Sequence, residues 1–172
     1  MMRSPSPQVN SPAMRIAAAL ALALAGLLAQ AQNLTPRSIS RPPAVTYLYP
    51  EQVTVPAGKP ATIALHFRIA PGLHINSHTP KAEELIPTIL SISNGSGVRL
   101  DGAVYPPGID FTLPIDPGTK LSVYTGDFII QASIVAVPGE HLIEARLRYQ
   151  ACDNNACMPP RTISAPIDVI GR

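Results

Sequence analysis

The sequence is poor in cysteine, in net charge, in helical periodicity and in long apolar runs. Each shortage removes a class of function. Only two cysteines occur in 172 residues, Cys152 and Cys157, and the four histidines, His66, His74, His78 and His141, are scattered. Zinc wants four ligands, so two clustered cysteines are at most half a site. Cu(I) could use both with Met158, but a disulfide would block it. After residue 31 no run approaches the roughly 20 apolar residues of a spanning helix. No Gly-rich phosphate loop, Ser/His/Asp arrangement or close carboxylate pair stands out, which leaves a hydrolase unsupported. No metal and no cofactor is expected.

What the chain does have begins with an export signal. Ile16 to Ala31 is almost purely Ala and Leu, follows Arg15, and ends in Ala29-Gln30-Ala31. A basic start, a short apolar stretch and a small-x-small site define a secretory signal peptide, here residues 1–31. Met14-Arg15 makes a compact start of its own, so either Met1 or Met14 serves as initiator. No cysteine follows the cleavage site, which argues against a lipid anchor there, and no later segment is apolar enough for the processed chain to insert in a membrane. Without residues 1–31 the chain loses Arg3 and Arg15, so 13 basic residues become 11 against 11 acidic ones. A neutral domain offers no basic patch for nucleic acid or anionic membrane. The expected location is periplasmic or secreted, an oxidising setting in which a close cysteine pair rests as a disulfide.

Residues 32–44 carry Pro36, Pro42 and Pro43 among Ser and Arg, and read as a flexible leader. One domain is expected over 45–172. In Ala61–Ile69, Ile63, Leu65, Phe67 and Ile69 alternate with Thr62, His66 and Arg68, the mark of a half-buried strand. Residues 87–94 and 98–105 are two more candidates, joined by Asn94-Gly95-Ser96-Gly97 as a hairpin-type connection. Gly126–Val137 is a longer β-branched run, His141–Gln150 alternates again, and Arg161–Ile170 closes the chain. The one helical possibility is the short stretch Pro80–Leu85. His66 and Arg68 read as solvated, and Lys81, Glu83 and Glu84 as a surface charge cluster. Seven or eight strands with proline at many boundaries predict an all-β sandwich.

The chemistry concentrates in Tyr149-Gln150-Ala151-Cys152-Asp153-Asn154-Asn155-Ala156-Cys157-Met158-Pro159-Pro160. Asp153-Asn154-Asn155 supplies a turn, because Asn and Asp tolerate left-handed backbone and bond their own chain. A hairpin there sets the two cysteines across from each other, within the roughly 4.4–6.8 Å between Cα atoms that a disulfide needs. The loop is tiny, and loop-entropy stabilisation grows with loop length, so a staple gains little. The residues by themselves leave a redox pair and a structural staple both open. No Lys or Arg adjoins Cys157, Arg161 being the nearest, and Asp153 disfavours a thiolate at Cys152. Such a pair is activated by its partner.

Tyr-Gln-Ala-Cys-x4-Cys-x-Pro-Pro over 149–160 resembles the cysteine motif of the N-terminal periplasmic domain of the thiol:disulfide interchange protein DsbD. Further landmarks fall in order: Pro71-Gly72-Leu73-His74-Ile75-Asn76, Tyr105-Pro106, and Tyr124-Thr125-Gly126 before a long strand. The resemblance covers about Val45 to Ile170. It implies an immunoglobulin-like β-sandwich whose cysteine pair takes electrons from a membrane donor and passes them to oxidised thioredoxin-like proteins in the periplasm. It implies Cys157 as the attacking thiol and Cys152 as the resolving one. It also implies a cap over the pair at Val123-Tyr124-Thr125-Gly126, and His74 and Asn76 on a strand lining the site. Members commonly carry Trp or Tyr where this chain has Leu73. The sequence ends soon after the domain, so a stand-alone copy is expected to draw electrons from a separate membrane protein. The competing expectation is a non-catalytic immunoglobulin-like binding module with a structural hairpin disulfide.

Overall fold

Apolar residues at every second position make the long strands, and these frame the computed structural model, which describes residues 42–48, 52–93, 97–114 and 116–172. The expected signal peptide and residues 32–41 of the expected leader lie outside the described residues. One four-stranded sheet contains β1 (Val45–Tyr47), β3 (Ala61–Ile69), β9 (Asp127–Ala136) and β6 (Val98–Val104), in the order β1-β3-β9-β6. A second contains β2 (Gln52–Val55), β12 (Arg161–Gly171), β10 (Gly139–Tyr149) and β5 (Ile89–Ile92), in the order β2-β12-β10-β5. Every pairing in these two sheets is antiparallel except β12 with β2.

The alternation places the core. Ile63, Leu65, Phe67 and Ile69 of β3, with Phe128, Ile130, Ala132, Ile134 and Ala136 of β9, point inward from the first sheet. Ile143, Ala145, Leu147 and Tyr149 of β10, with Ala165, Ile167 and Val169 of β12, point inward from the second, and all belong to one buried cluster. Burying each large aliphatic side chain contributes about 1.5–3 kcal/mol, which makes this interior the main stabilising mass. Pro166 sits within β12 without breaking it, because β2 pairs only with Asp168–Gly171 and the strand is an edge at the proline.

A third, smaller sheet adjoins one end of the sandwich. It contains β11 (Ala151–Cys152), β4 (His74–Asn76), β8 (Asp116–Tyr124) and β7 (Ile109–Leu113), in the order β11-β4-β8-β7. Its strands continue those of the sandwich after short breaks. β10 passes through Gln150 into β11, and β8 turns at Thr125-Gly126 into β9. Gly126 has φ +60°, a left-handed conformation that glycine adopts without strain, and its carbonyl accepts from Ile69 N at 2.9 Å.

The all-β class stands, with twelve strands among the described residues where seven or eight were expected. The surplus lies mainly in pieces of two to four residues, β1, β2, β4 and β11, too short for alternation to declare itself. The expected hairpin at Asn94–Gly97 does not form. β5 pairs with β10 and β6 with β9, in different sheets, so Leu90 and Val98 both reach the core; residues 94–96 themselves lie outside the described residues. Pro80–Leu85 is a succession of turns, with Leu85 N bonded to Ala82 O at 3.2 Å, too short a stretch to sustain a helix. Among the described residues no helix is long and apolar enough to cross a membrane.

Candidate active site

The cysteine hairpin is the free end of the third sheet. Cys152 ends β11 and forms an antiparallel bridge with Cys157. The flanking bonds run from Asp153 N to Ala156 O at 3.0 Å and from Met158 N to Ala151 O at 2.8 Å. That pattern makes the cysteines a non-hydrogen-bonded pair, the position where facing Cα atoms approach most closely, to about 4.5 Å. Their Cα atoms are 4.0 Å apart and the sulfurs form a disulfide. The turn between them closes through Asp153 Oδ1, which accepts from Asn155 N at 2.8 Å and Ala156 N at 2.9 Å. Left-handed backbone is not needed: no described residue other than glycine has positive φ. The side-chain bonds of Asp153 make the turn.

The two sulfurs stand in different surroundings. Cys152 is buried, 2 % exposed, whereas Cys157 lies on the surface. The hairpin root is clamped from β4: Asn76 Nδ2 donates to Gln150 Oε1 at 3.3 Å and to Ile86 O at 3.1 Å. Gln150 Nε2 passes the link on to Met158 O at 3.3 Å. Asn76 is thus fully buried and works through Gln150, which sequence reasoning did not single out.

His74 is the Cα partner of Cys152 across β4 and β11, and it is buried. Its ring packs on Phe111 of β7, centroids 4.4 Å apart. Burial lowers the His74 pKa from its ordinary 6.5, and the Asp153 carboxylate opposes that shift. The net effect favours the uncharged ring. Phe111 was missed in the sequence, although Ile109, Phe111 and Leu113 alternate with polar residues and carried the strand signal. A depression of about 490 Å³ opens beside the hairpin, lined by Pro71, Gly72, His74, Phe111, Thr125 and Asn154 among others. Arg68 and Asp127 stand on its rim, joined by two hydrogen bonds of 2.7 and 2.8 Å.

The segment expected to cap the pair divides in two. Val123 and Tyr124 are the buried end of strand β8, paired with Asn76 and Ile75 of β4. Tyr124 OH donates to Pro106 O at 3.1 Å and accepts from His78 N at 3.0 Å. Only Thr125 and Gly126 form an exposed turn, and they line the depression beside His74. His78 is exposed and stacks on Tyr105, centroids 3.7 Å apart, away from His74 in function as in exposure.

A family model described as "Thiol:disulfide interchange protein DsbD, N-terminal" matches residues 44–168. The chain belongs to this family. The match runs from the start of β1 to Asp168 within β12 and includes the cysteine hairpin, and the immunoglobulin-like sandwich expected of a DsbD N-terminal domain is the architecture found. Among solved structures, the DsbD N-terminal domain of Neisseria meningitidis in the reduced form is similar at 18 % identity and TM-score 0.43, covering 63 % of this chain and 75 % of that one. The N-terminal periplasmic domain of ScsB from Proteus mirabilis is similar at 13 % identity and TM-score 0.47, covering 71 % of this chain and 43 % of that one. No curated protein matches the chain.

Proposed function

We propose that this DsbD N-terminal-type domain carries out thiol–disulfide exchange in the periplasm, cycling Cys152 and Cys157 between dithiol and disulfide. Electrons arrive from a separate membrane protein and leave to oxidised thioredoxin-like proteins. In this reading residues 1–31 are the export signal and 45–172 the working domain. The observation that carries the proposal is the asymmetry of the pair: Cys157 is exposed and Cys152 buried on a hairpin outside the core. An attacking thiolate must reach a partner's sulfur in line, while the resolving thiol need only reach its neighbour. Cys157 attacks and Cys152 resolves. A disulfide meant as a staple gains most by closing a long loop or tying two sheets, and this one does neither.

His74, Asn76 and the segment 123–126 surround the pair in distinct ways under this proposal. His74 and the Thr125-Gly126 turn line the approach, Val123 and Tyr124 support β4 from behind, and Asn76 fixes the hairpin root. Cys152→Ser leaves Cys157 able to attack and nothing to resolve, so a mixed disulfide with a thioredoxin-like partner should accumulate. Cys157→Ser should trap none. Equal trapping by both variants, or a reduction potential below about −300 mV as for inert structural disulfides, would count against the proposal.

A further inference from the structure

Five polar side chains are buried in the described structure: His74, Asn76, Ser77, Thr88 and Ser122. The last four each make a side-chain hydrogen bond. His74 is 2 % exposed, and its Nε2 has no hydrogen-bond partner among the described residues; the same holds for Asn76 Oδ1 and the Tyr149 hydroxyl, but of the three only His74 Nε2 belongs to the residue opposite Cys152. Leaving a buried acceptor or donor unmade costs stability, so such a nitrogen calls for a use.

The strand register supplies one. His74 is the Cα partner of Cys152, and Cys152 that of Cys157. Directly opposed residues share a face, with Cβ atoms about 4.5–5.5 Å apart. Across the sheet the row therefore reads His74, Cys152, Cys157, with the buried sulfur in the middle. As a disulfide, Cys152 has no proton to give. Reduction places one S–H there, in a buried spot next to an imidazole whose Nε2 is unpaired.

We propose that His74 is the proton acceptor for Cys152. The inference rests on the exchange reading above and deepens it. In the first step the Cys157 thiolate attacks a partner disulfide; a Cys157–partner bond forms and the partner's other sulfur leaves as thiolate. In the second, Cys152 passes its proton to His74 Nε2, and its sulfur attacks Cys157 Sγ. The intramolecular disulfide forms, the partner's second sulfur leaves with the electron pair, and the proton on His74 is released to solvent or to that thiolate. Two electrons move from the protein dithiol to the partner disulfide, and nothing else is consumed.

The charges around the ring suit a neutral acceptor. From the hairpin, Asp153 faces His74 and favours protonation, while burial opposes it more strongly. From β3 and β9, Arg68 and Asp127 border the same depression but pair with each other. β7 contributes the uncharged Phe111, whose neighbour Asp110 is paired with Lys81 at 2.6 Å. The turn after β8 contributes Thr125.

Dithiobis(nitrobenzoate) separates the two steps. The reduced protein should release one nitrothiobenzoate as Cys157 attacks and a second as Cys152 resolves. In the wild type the second rate should be level near neutral pH and fall once His74 is protonated, below its ordinary titration range. His74→Phe should slow the second phase about 10²-fold at pH 7, the lower end of general-base contributions. Its rate should then climb with pH until the thiol ionises by itself at about 8.5 or above. The first phase should stay within about twofold, since Cys157 does not use the ring. His74→Gln keeps a polar group of similar shape without a titration, and decides the matter if the Phe variant fails to fold. A wild-type second-phase rate and pH profile in the folded variants overturns the role of His74 and leaves exchange intact. A wild type that never releases the second nitrothiobenzoate overturns the exchange reading, and this inference with it.

Discussion

The sandwich and the small third sheet are held together by different forces. Inside the sandwich the large inward side chains are apolar but for the Tyr149 hydroxyl, from Ile63, Leu65 and Phe67 on one sheet to Ile143, Leu147 and Ile167 on the other. The buried polar residues lie elsewhere: His74 and Asn76 on β4, Ser122 on β8, Ser77 just past β4, and Thr88, which donates to Asn76 O at 2.6 Å. Ser77 and Ser122 hydroxyls meet at 2.8 Å, and Ser77 N bonds Ser122 O at 2.9 Å. Apolar burial gives mass without direction, whereas these bonds give direction with little mass. The sandwich therefore sets global stability, and the third sheet sets where two sulfurs and one imidazole stand. Ile75, Tyr124 and Ala151 still tie the third sheet to the apolar core, whereas the exposed hairpin tip, residues 154–157, has little buried surface to lose and opens locally at lower cost, which suits a hairpin that must admit another protein's cysteine.

The largest separation between the two regions should come from the core. Ile134 is fully buried on β9 and remote in register from the cysteines. Ile134→Ala should cost about 2–5 kcal/mol, read as a lower urea midpoint with unchanged slope. The two-phase release of nitrothiobenzoate should persist at temperatures where the variant stays folded. If this substitution abolished the second phase in folded protein, the division between a stabilising sandwich and a chemical third sheet would be broken.

Next in size is the clamp at the hairpin root. Asn76→Ala removes the bonds to Ile86 O and Gln150 Oε1 and leaves Gln150 with one partner fewer. A lost buried bond with its partner left unmade costs about 1–3 kcal/mol. The sharper readout is local: amide exchange at Asp153 and Met158, whose N–H groups close the hairpin, should rise more than exchange in β9 or β10. Uniform acceleration across the chain would mean that the third sheet has no stability of its own to lose.

How much of this could be read from residues alone follows the same division. β3 and β10 were legible because a half-buried strand writes its burial into a period of two, and β9 was legible as a long β-branched run. Ile63-Leu65-Phe67-Ile69 and Ile143-Ala145-Leu147-Tyr149 lie inward as their spacing demanded. The cysteine turn was legible through Asp153, though its side-chain bonds, not left-handed backbone, close it. Sheet partners were not legible. Asn94-Gly95-Ser96-Gly97 has turn chemistry, yet β5 and β6 each find a longer strand in a different sheet. β4 was hidden from periodicity, because all three of its residues, His74, Ile75 and Asn76, are buried, and a strand there was expected only through the family resemblance. Its polar pair looked like loop sequence, and only register reveals that His74 faces Cys152. Phe111 escaped for a related reason, since its contact lies on a strand far away in sequence.

The disulfide itself should matter less to stability than either change above implies for its setting. Its cysteines are five positions apart in sequence. The chain-entropy relation gives about 2 kcal/mol for so short a loop, as an upper figure. The double variant Cys152→Ser, Cys157→Ser should therefore stay folded and lose no more than that in urea, while losing all exchange. A larger loss, or a failure to fold, would restore the structural staple and make the hairpin part of the stabilising frame.

The smallest effect belongs to the rim of the depression. Arg68 and Asp127 form a bidentate pair at 2.7 and 2.8 Å, and both are exposed. The hydrogen bond from Arg68 holds the Asp127 carboxyl below its ordinary 3.8. A carboxylate with a depressed pKa contributes its stability above the unfolded value and loses it as pH falls through the folded one. Whatever the pair adds is thus present at neutral pH and gone in acid. Exposure to water keeps that contribution small. Asp127→Asn should shift the thermal midpoint less than any change described above, and the shift should fade at about 1 M salt, where screening reaches roughly 3 Å. The pair frames the approach to His74 without fixing the fold, so Asp127→Asn should alter reaction with a charged disulfide probe more than it alters unfolding. The reverse order would make this pair, which joins β3 to β9, part of the sandwich's stability and not of the approach to the cysteines.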